Sequence, residues 1–136
     1  MKLASLALFV LPLLANFAFA ADGTEEFDTP SHNMCCHFVP ASGTSVHSTL
    51  DGSDELNCSR VQPKYWNITL TALGKVKVYK HPGEVAGCGS STILEYGQSH
   101  IYGDFRCTSE TTGLTCLNSH GKGFTLSKSG LKNIKP

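Results

Sequence analysis

The chain has 136 residues, with 11 basic and 11 acidic side chains, six cysteines and one tryptophan. This length suits one domain, and a content of 16% charged and 40% hydrophobic residues excludes a disordered tail and a coiled coil. The balanced charge argues against a nucleic-acid binder, which needs a basic face to neutralise phosphates.

Residues 1–20 have the three parts of a secretory signal peptide. Lys2 provides the positive charge, an apolar stretch runs from Leu3 to Leu14, and small residues lead to Ala20. We predict cleavage between Ala20 and Ala21, and export to the periplasm or the medium. The apolar stretch is shorter than the ~20 residues that span a bilayer, so we expect no stable membrane insertion after processing. An uncleaved N-terminal anchor is the alternative.

The charges that remain are segregated along the chain. Residues 21–31 are acidic and contain a proline, which predicts a flexible N-terminal lead-in, and residues 129–136 are predicted to form a C-terminal tail. The acidic residues of the opening are Asp22, Glu25, Glu26 and Asp28, and the lysines near the end are Lys122, Lys128, Lys132 and Lys135. Such segregation can guide a partner, but solvated termini commonly have it, and we favour that plainer interpretation.

Between residues 32 and 128 the sequence predicts a single β domain. Alternating patterns rich in β-formers, punctuated by glycines, predict eight short strands. They are Met34–Val39, Glu55–Val61, Tyr65–Leu70, Lys75–Lys80, Thr92–Tyr96, His100–Thr108, Leu114–Asn118 and Gly123–Ser127. No segment keeps a period of 3.6 residues, so we expect little helix outside the signal peptide. The predicted fold is a small disulfide-stabilised antiparallel sandwich or barrel.

An even number of cysteines in a short exported chain predicts three disulfides. Zinc would need paired C-x-x-C or Cys/His spacings, which the chain lacks. The neighbours Cys35 and Cys36 would point to opposite faces of a strand. Of the fifteen possible pairings, local geometry favours one: a hairpin folded about residues 111–112 places Cys107 opposite Cys116. The other two cysteines are Cys58 and Cys88.

Four ordered motifs resemble a family of small exported bacterial proteins known as a domain of unknown function of the DUF6636 type. They read FDTPSHNMCC at 27–36, CGSSTILEYG at 88–97, FRCTS at 105–109 with GLTCLN at 113–118, and GKGFTLS at 121–127. The resemblance implies an exported all-β domain and no established activity.

The resemblance also bears on the remaining cysteines. It implies a Cys36–Cys58 bridge. In relatives the cysteine that matches Cys88 has its partner within the segment aligned with residues 65–80, where this chain has none. The additional Cys35 therefore predicts a Cys35–Cys88 bridge, and exchange of Cys35 and Cys36 between the two partners is the alternative.

The sequence predicts no catalytic, cofactor-binding or metal-binding residue. The six histidines lack metal-ligand or triad spacing, and the acidic loop of Asp51, Asp54 and Glu55 lacks the ligand periodicity of calcium loops. Several aromatic residues can either pack in a core or form a contact surface. They are Tyr65, Trp66, Tyr79, Tyr96 and Tyr102.

These features favour a rigid, disulfide-stapled binding protein that acts on another exported protein, such as an inhibitor or immunity-type factor of the envelope. The small size, the cross-linking and the lack of a catalytic set motivate this hypothesis. An enzyme on cell-wall or extracellular polymer with an unrecognised site is one alternative. A purely structural envelope protein is the other.

Overall fold

A computed structural model describes residues 22–80 and 87–136, which form ten β-strands and no helix. The predicted signal peptide and its cleavage site lie outside the described residues. No helix within the described ranges is long and apolar enough to cross a membrane. The strands are β1 (Glu25–Asp28), β2 (Met34–Val39), β3 (Glu55–Arg60), β4 (Trp66–Thr71), β5 (Val76–Lys80), β6 (Ser99–Tyr102), β7 (Phe105–Glu110), β8 (Gly113–Asn118), β9 (Gly123–Ser127) and β10 (Gly130–Ile134).

The strands form two five-stranded antiparallel sheets, each a simple meander. Sheet A has the order β1-β2-β3-β4-β5, and sheet B has the order β10-β9-β8-β7-β6. Side chains of both sheets share one hydrophobic core. Within the described residues no strand of one sheet pairs with a strand of the other, so the fold is a sandwich rather than a closed barrel. The predicted all-β, disulfide-stabilised antiparallel class is confirmed.

Contacts between the sheets fix which strands face each other. At one lateral side of the sandwich, the Phe27 ring of β1 stacks on the Tyr102 ring of β6, with centroids 4.6 Å apart. At the end of the central strand β3, the Arg60 guanidinium donates hydrogen bonds to the backbone carbonyls of Ser127 and Lys128, at 2.8 and 3.1 Å. Toward the opposite side, the Trp66 ring of β4 lies next to Gly130 of β10. Strand β1 therefore lies against β6, and the β4–β5 side lies against the β9–β10 turn.

The three disulfides join Cys36 to Cys58, Cys107 to Cys116 and Cys35 to Cys88, the same three pairs that were expected. The first two link residues directly opposite each other in neighbouring strands, with Cα atoms 4.1 Å apart in each pair. One bridge belongs to each sheet, and their sulfurs meet in the core. The third lies on the outer face of sheet A, because alternate residues of β2 point to opposite faces.

The structure differs from the predicted elements in four places. Strand β1 lies within residues 21–31, where a flexible lead-in was expected, and β10 lies within the expected tail 129–136. Segment Thr92–Tyr96 is not a strand and makes only an isolated bridge through Ile93. The expected strand His100–Thr108 is two strands, because Gly103, with a φ of 53°, turns the chain between β6 and β7.

Candidate binding groove

An open groove lies at the lateral side of the sandwich where β1 faces β6. Its volume is about 610 Å³. One wall is β6 with the residue before it, and the other is formed by β1 and the segment 90–94. The lining residues are Glu25, Glu26, Ser90, Ser91, Thr92, Ile93, Leu94, Gln98, Ser99, His100 and Tyr102.

Segment 88–94 is held along the outer edge of β1. Its first residue is anchored by the Cys35–Cys88 bridge. Further along, the Asp28 backbone N–H donates to the Thr92 carbonyl and the Leu94 N–H donates to the Asp28 carbonyl, both at 2.9 Å. Because Leu94 is also buried in the core, the segment is fixed at both ends. The edge of sheet A is thereby covered on this side of the groove.

The Asp28 carboxylate adds a second attachment for the same segment. Although the residue is buried, its Oδ1 accepts a hydrogen bond from the Ser90 backbone N–H at 3.1 Å. Its Oδ2 lies 2.8 Å from Nδ1 of His32, a half-exposed ring. Both oxygens of this buried carboxylate therefore have partners, as a buried charged group requires. Asp28 serves to build the groove wall and does not offer a free carboxylate.

The opposite wall, strand β6, is an uncovered sheet edge. The Cα atoms of Cys107 and Cys116 are 4.1 Å apart, which is typical of a non-hydrogen-bonded pair. The N–H and C=O of Cys107 therefore point away from β8 and toward His100 of β6. The neighbouring Ser99 and Ile101 consequently point their N–H and C=O groups away from β7, to the open side. Such a row of unpaired groups is a template for another strand.

Tyr102 brings an unpartnered hydroxyl into the groove. The residue is only 5% exposed, and its ring lies between the stacked Phe27 ring and the His100 ring, both with centroids at 4.6 Å. Burial, together with the nearby Glu25 carboxylate, raises the pKa of Tyr102 to about 12. No residue of the described chain forms a hydrogen bond with this hydroxyl. The ring is buried and the hydroxyl remains open to solvent, so it can serve as a polar anchor for a ligand in the groove.

The groove wall is acidic, and the opposite side of the sandwich is basic. Glu25 and Glu26 are exposed, and within the described residues neither forms an ion pair. On the other lateral side, strands β5 and β10 and the residues next to them carry exposed lysines without a carboxylate partner in the described chain. They are Lys75, Lys77, Lys80, Lys128, Lys132 and Lys135.

Two smaller depressions, of about 440 and 250 Å³, lie on the outer face of sheet A and share Asn57 and Asn67. Their polar side chains bond to one another. The Thr69 hydroxyl donates to Asn57 Oδ1 at 2.5 Å, and Asn67 Nδ2 donates to Ser59 Oγ at 3.1 Å. These groups have partners within the sheet, so this face offers a ligand fewer free polar groups than the groove does.

The acidic loop considered in the sequence is not assembled into one site. Asp51 accepts hydrogen bonds from Ser53 and Thr71, and Asp54 accepts one from the Ala41 backbone N–H. The buried Glu55 carboxylate bonds to the His47 ring, the Leu50 N–H and the Asn57 amide at 2.7–2.8 Å. In the described chain these acids are not gathered within ligand distance of one another. Each carboxylate holds its own part of the loop.

Two groups of side chains in the described chain are close enough to hold a metal ion, and each contains disulfide sulfurs. They are Cys36, Cys58 and Cys116, and Asp28, Cys35 and Cys88. Because metals bind cysteine as the thiolate, oxidised sulfurs are not suitable ligands. Of the histidines, His81 lies outside the described residues, and His100 is the one that lines the groove.

No family model, no curated protein and no solved structure matches this chain. Of the five aromatic residues considered in the sequence, the structure brings Tyr102 into the groove lining. The groove residues come from 25–26 and from 90–102, which are far apart in the sequence, and no spacing within either stretch indicated that they would meet.

Proposed function

We propose that this protein is an exported binding protein that takes an extended segment of another protein into the groove beside β6. The observation that carries the proposal is the free edge of β6, which lines a groove together with the unpartnered Tyr102 hydroxyl. Export by a signal peptide, an envelope setting and membership of the DUF6636-type group are part of the proposal. An inhibitor or immunity-type role is the class of function that such binding would serve.

Strand addition is the binding mode that this edge supports. An extended peptide that joins a sheet edge gains main-chain hydrogen bonds, and neighbouring pockets read its side chains. Ser99 and Ile101 supply the free backbone groups, and Ile101 is also 63% exposed on the outer face of the sheet. The covered edge of β1 cannot accept a strand in the same way, because segment 90–94 already bonds to it.

The groove selects for a basic partner. Glu25 and Glu26 lie on the wall opposite β6, and neither carboxylate has an ion-pair partner in the described chain. Glu25 shares the face of β1 that carries Phe27, and Glu26 lies on the outer face with Asp28. Lysine or arginine side chains on the added strand would lie against them. Complementary charge of this kind speeds association and suppresses wrong partners more than it adds raw affinity.

The test is affinity capture from envelope and culture-supernatant extracts with the oxidised protein, read by mass spectrometry. Two variants make it specific to the groove. Ile101→Pro removes the outward N–H and leaves the β6–β7 hydrogen bonds in place, since proline is tolerated on the solvent side of an edge strand. Ile101→Ala is its matched control, because it shortens the side chain and keeps the N–H.

The proposal predicts a stoichiometric protein partner that wild type and Ile101→Ala capture, and that Ile101→Pro and Glu25→Lys/Glu26→Lys lose. Glu110→Lys, an exposed charge at the far end of β7, should capture it normally. Capture that Ile101→Pro leaves intact would overturn strand addition. An empty capture accompanied by turnover of a wall polymer would overturn the binding function in favour of the enzyme.

A further inference from the structure

We infer that a second copy of this chain is a partner for the groove, and that its basic strand β10 adds to β6. The inference rests on the proposed function and names an occupant for the same groove. Two observations support the inference. Both edge strands of sheet B, β6 and β10, are unpaired on their outer side in the described chain, and the two lateral sides of the sandwich carry opposite charge. Copies joined in this way would extend sheet B from one molecule to the next.

Strand β10 has the free backbone groups that this pairing requires. The N–H and C=O of Cys116 point away from β7 and toward Phe124 of β9. The backbone groups of the residues on either side of Phe124, Gly123 and Thr125, therefore point toward β10. They meet Lys132 and Ile134 there. Asn133, between these two, therefore points its N–H and C=O to the open side. The last strand of sheet B thus offers an edge that matches β6.

Charge distinguishes this pairing from the other ways in which two copies could meet. Lys132, and Lys135 just beyond β10, are exposed, as are Lys77 and Lys80 on the facing strand β5. Two basic sides repel each other, and two acidic sides do the same. A basic side against the acidic side of the next copy brings lysines toward Glu25 and Glu26, which is the one favourable combination.

The strand directions fix the geometry of the assembly. Every neighbouring pair in sheet B is antiparallel, so β6 and β10, four positions apart, run in the same direction. A copy displaced sideways without rotation therefore pairs its β10 in parallel with β6. Such a contact joins two different surfaces and does not close on itself, so it produces a chain of molecules rather than a dimer.

Complementary charge reversal tests the inference with the protein alone. Glu25→Lys/Glu26→Lys makes both sides basic, and Lys132→Glu/Lys135→Glu places two carboxylates on and just beyond β10. Sedimentation velocity at low salt should show wild type associating as its concentration rises, with each variant weakened by at least about tenfold. An equimolar mixture of the two variants should associate again, because basic sides then meet acidic sides. Salt should dissolve both assemblies.

Two further variants separate strand pairing from simple charge attraction. Ile101→Pro and Asn133→Pro each remove one outward N–H and should each abolish wild-type association, whereas Ile101→Ala and Asn133→Ala should retain it. A Glu110→Lys control should associate as wild type does.

The inference is overturned if wild type stays monomeric at all concentrations and the mixed variants fail to associate, or if either charge variant associates alone as wild type does. The proposed function survives that result when a partner is still captured from extracts in an Ile101-dependent manner. It falls together with the inference when that capture fails as well.

Discussion

Removal of the Cys35–Cys88 bridge gives the cleanest measure of how a disulfide stabilises this fold. The bridge lies half-buried on the outer face of sheet A, whereas the other four cysteines are at most 3% exposed in the core. Replacing it with two alanines therefore removes little native packing. The segment it anchors keeps its hydrogen bonds to Asp28 and the buried Leu94. Removal of the bridge should therefore lower the free energy of unfolding mainly by giving the unfolded chain greater conformational freedom.

The magnitude follows from the length of the closed loop. The two cysteines are 53 residues apart, and loop-closure entropy for that length is about 14 cal/mol/K, or about 4 kcal/mol at 25 °C. A domain of this size has a net stability of about 5–15 kcal/mol, so the variant should remain folded. Its melting temperature should fall by about 10–20 °C.

Urea denaturation of wild type and Cys35→Ala/Cys88→Ala under non-reducing conditions measures the change. The denaturant slope of the variant should rise, because its unfolded chain exposes more surface. A loss of stability below about 1 kcal/mol would refute the reasoning that the unfolded chain carries the effect. A loss of the bridge between β1 and Ile93, seen as faster amide exchange at Asp28 and Leu94, would refute the expectation that the hydrogen bonds hold the groove wall after the disulfide is removed.

Three further predictions concern single side chains. Arg60→Ala should destabilise the protein by about 2–4 kcal/mol in urea denaturation. The buried guanidinium donates hydrogen bonds to the carbonyls of Lys64, Ser127 and Lys128, and it covers the Trp66 ring. Arg60→Lys should restore only part of the lost stability, because an ammonium group cannot replace the planar guanidinium. Glu55→Ala should cost about 1–3 kcal/mol by removing the hydrogen bonds that its buried carboxylate accepts from His47, Leu50 and Asn57, and equal stability to wild type would contradict that role. Because the pKa of Tyr102 is raised from 10.0 to about 12, its neutral form is favoured in the folded protein, so stability should be lost as the pH rises from 10 toward 12. The Tyr102→Phe variant should not lose stability in this way between pH 10 and 12. In an absorbance titration it should lack the phenol that ionises near pH 12 in wild type.

The central strands were predictable because their residues alternate. Strand β2 begins at Met34 and ends at Val39, as expected, and β9 also has its expected bounds. The alternation reflects one face turned to the core, with Leu56 and Cys58 of β3 inward and Asn57 and Ser59 outward. A buried face leaves a period of two in the sequence, and this signal was sufficient for the fold class.

The edges of the sheets were less predictable. Strand β1 has two exposed glutamates and only Phe27 as a buried apolar residue, and β10 is mostly polar, so neither alternates in a recognisable way. An edge strand is stabilised by pairing along one side only, and its sequence carries a weaker signal. The split of β6 from β7 did have a signal, since Gly103-Asp104 is a typical turn pair within the run that was taken as one strand.

The groove could not be predicted, because it depends on hydrogen bonds between residues 62 and 64 positions apart in the sequence. Ser90 forms hydrogen bonds with the Glu26 carbonyl and the Asp28 carboxylate next to the Cys35–Cys88 bridge, and the sequence does not show that these residues lie together. The separation of acidic and basic residues along the chain was visible in the sequence. Its arrangement on opposite sides of the sandwich became apparent only with the strand order.

Binding of a short basic strand to isotope-labelled protein, followed by backbone amide chemical shifts, tests the central claim most directly. The probe is a blocked peptide of three Lys-Thr repeats, and three Glu-Thr repeats are its control. We expect saturable shifts centred on Ser99 and Ile101 with the lysine peptide, no shifts with the glutamate peptide, and loss of the shifts in Ile101→Pro. Shifts that are absent with both peptides, or equal with both, would contradict an acidic groove that accepts a strand at β6.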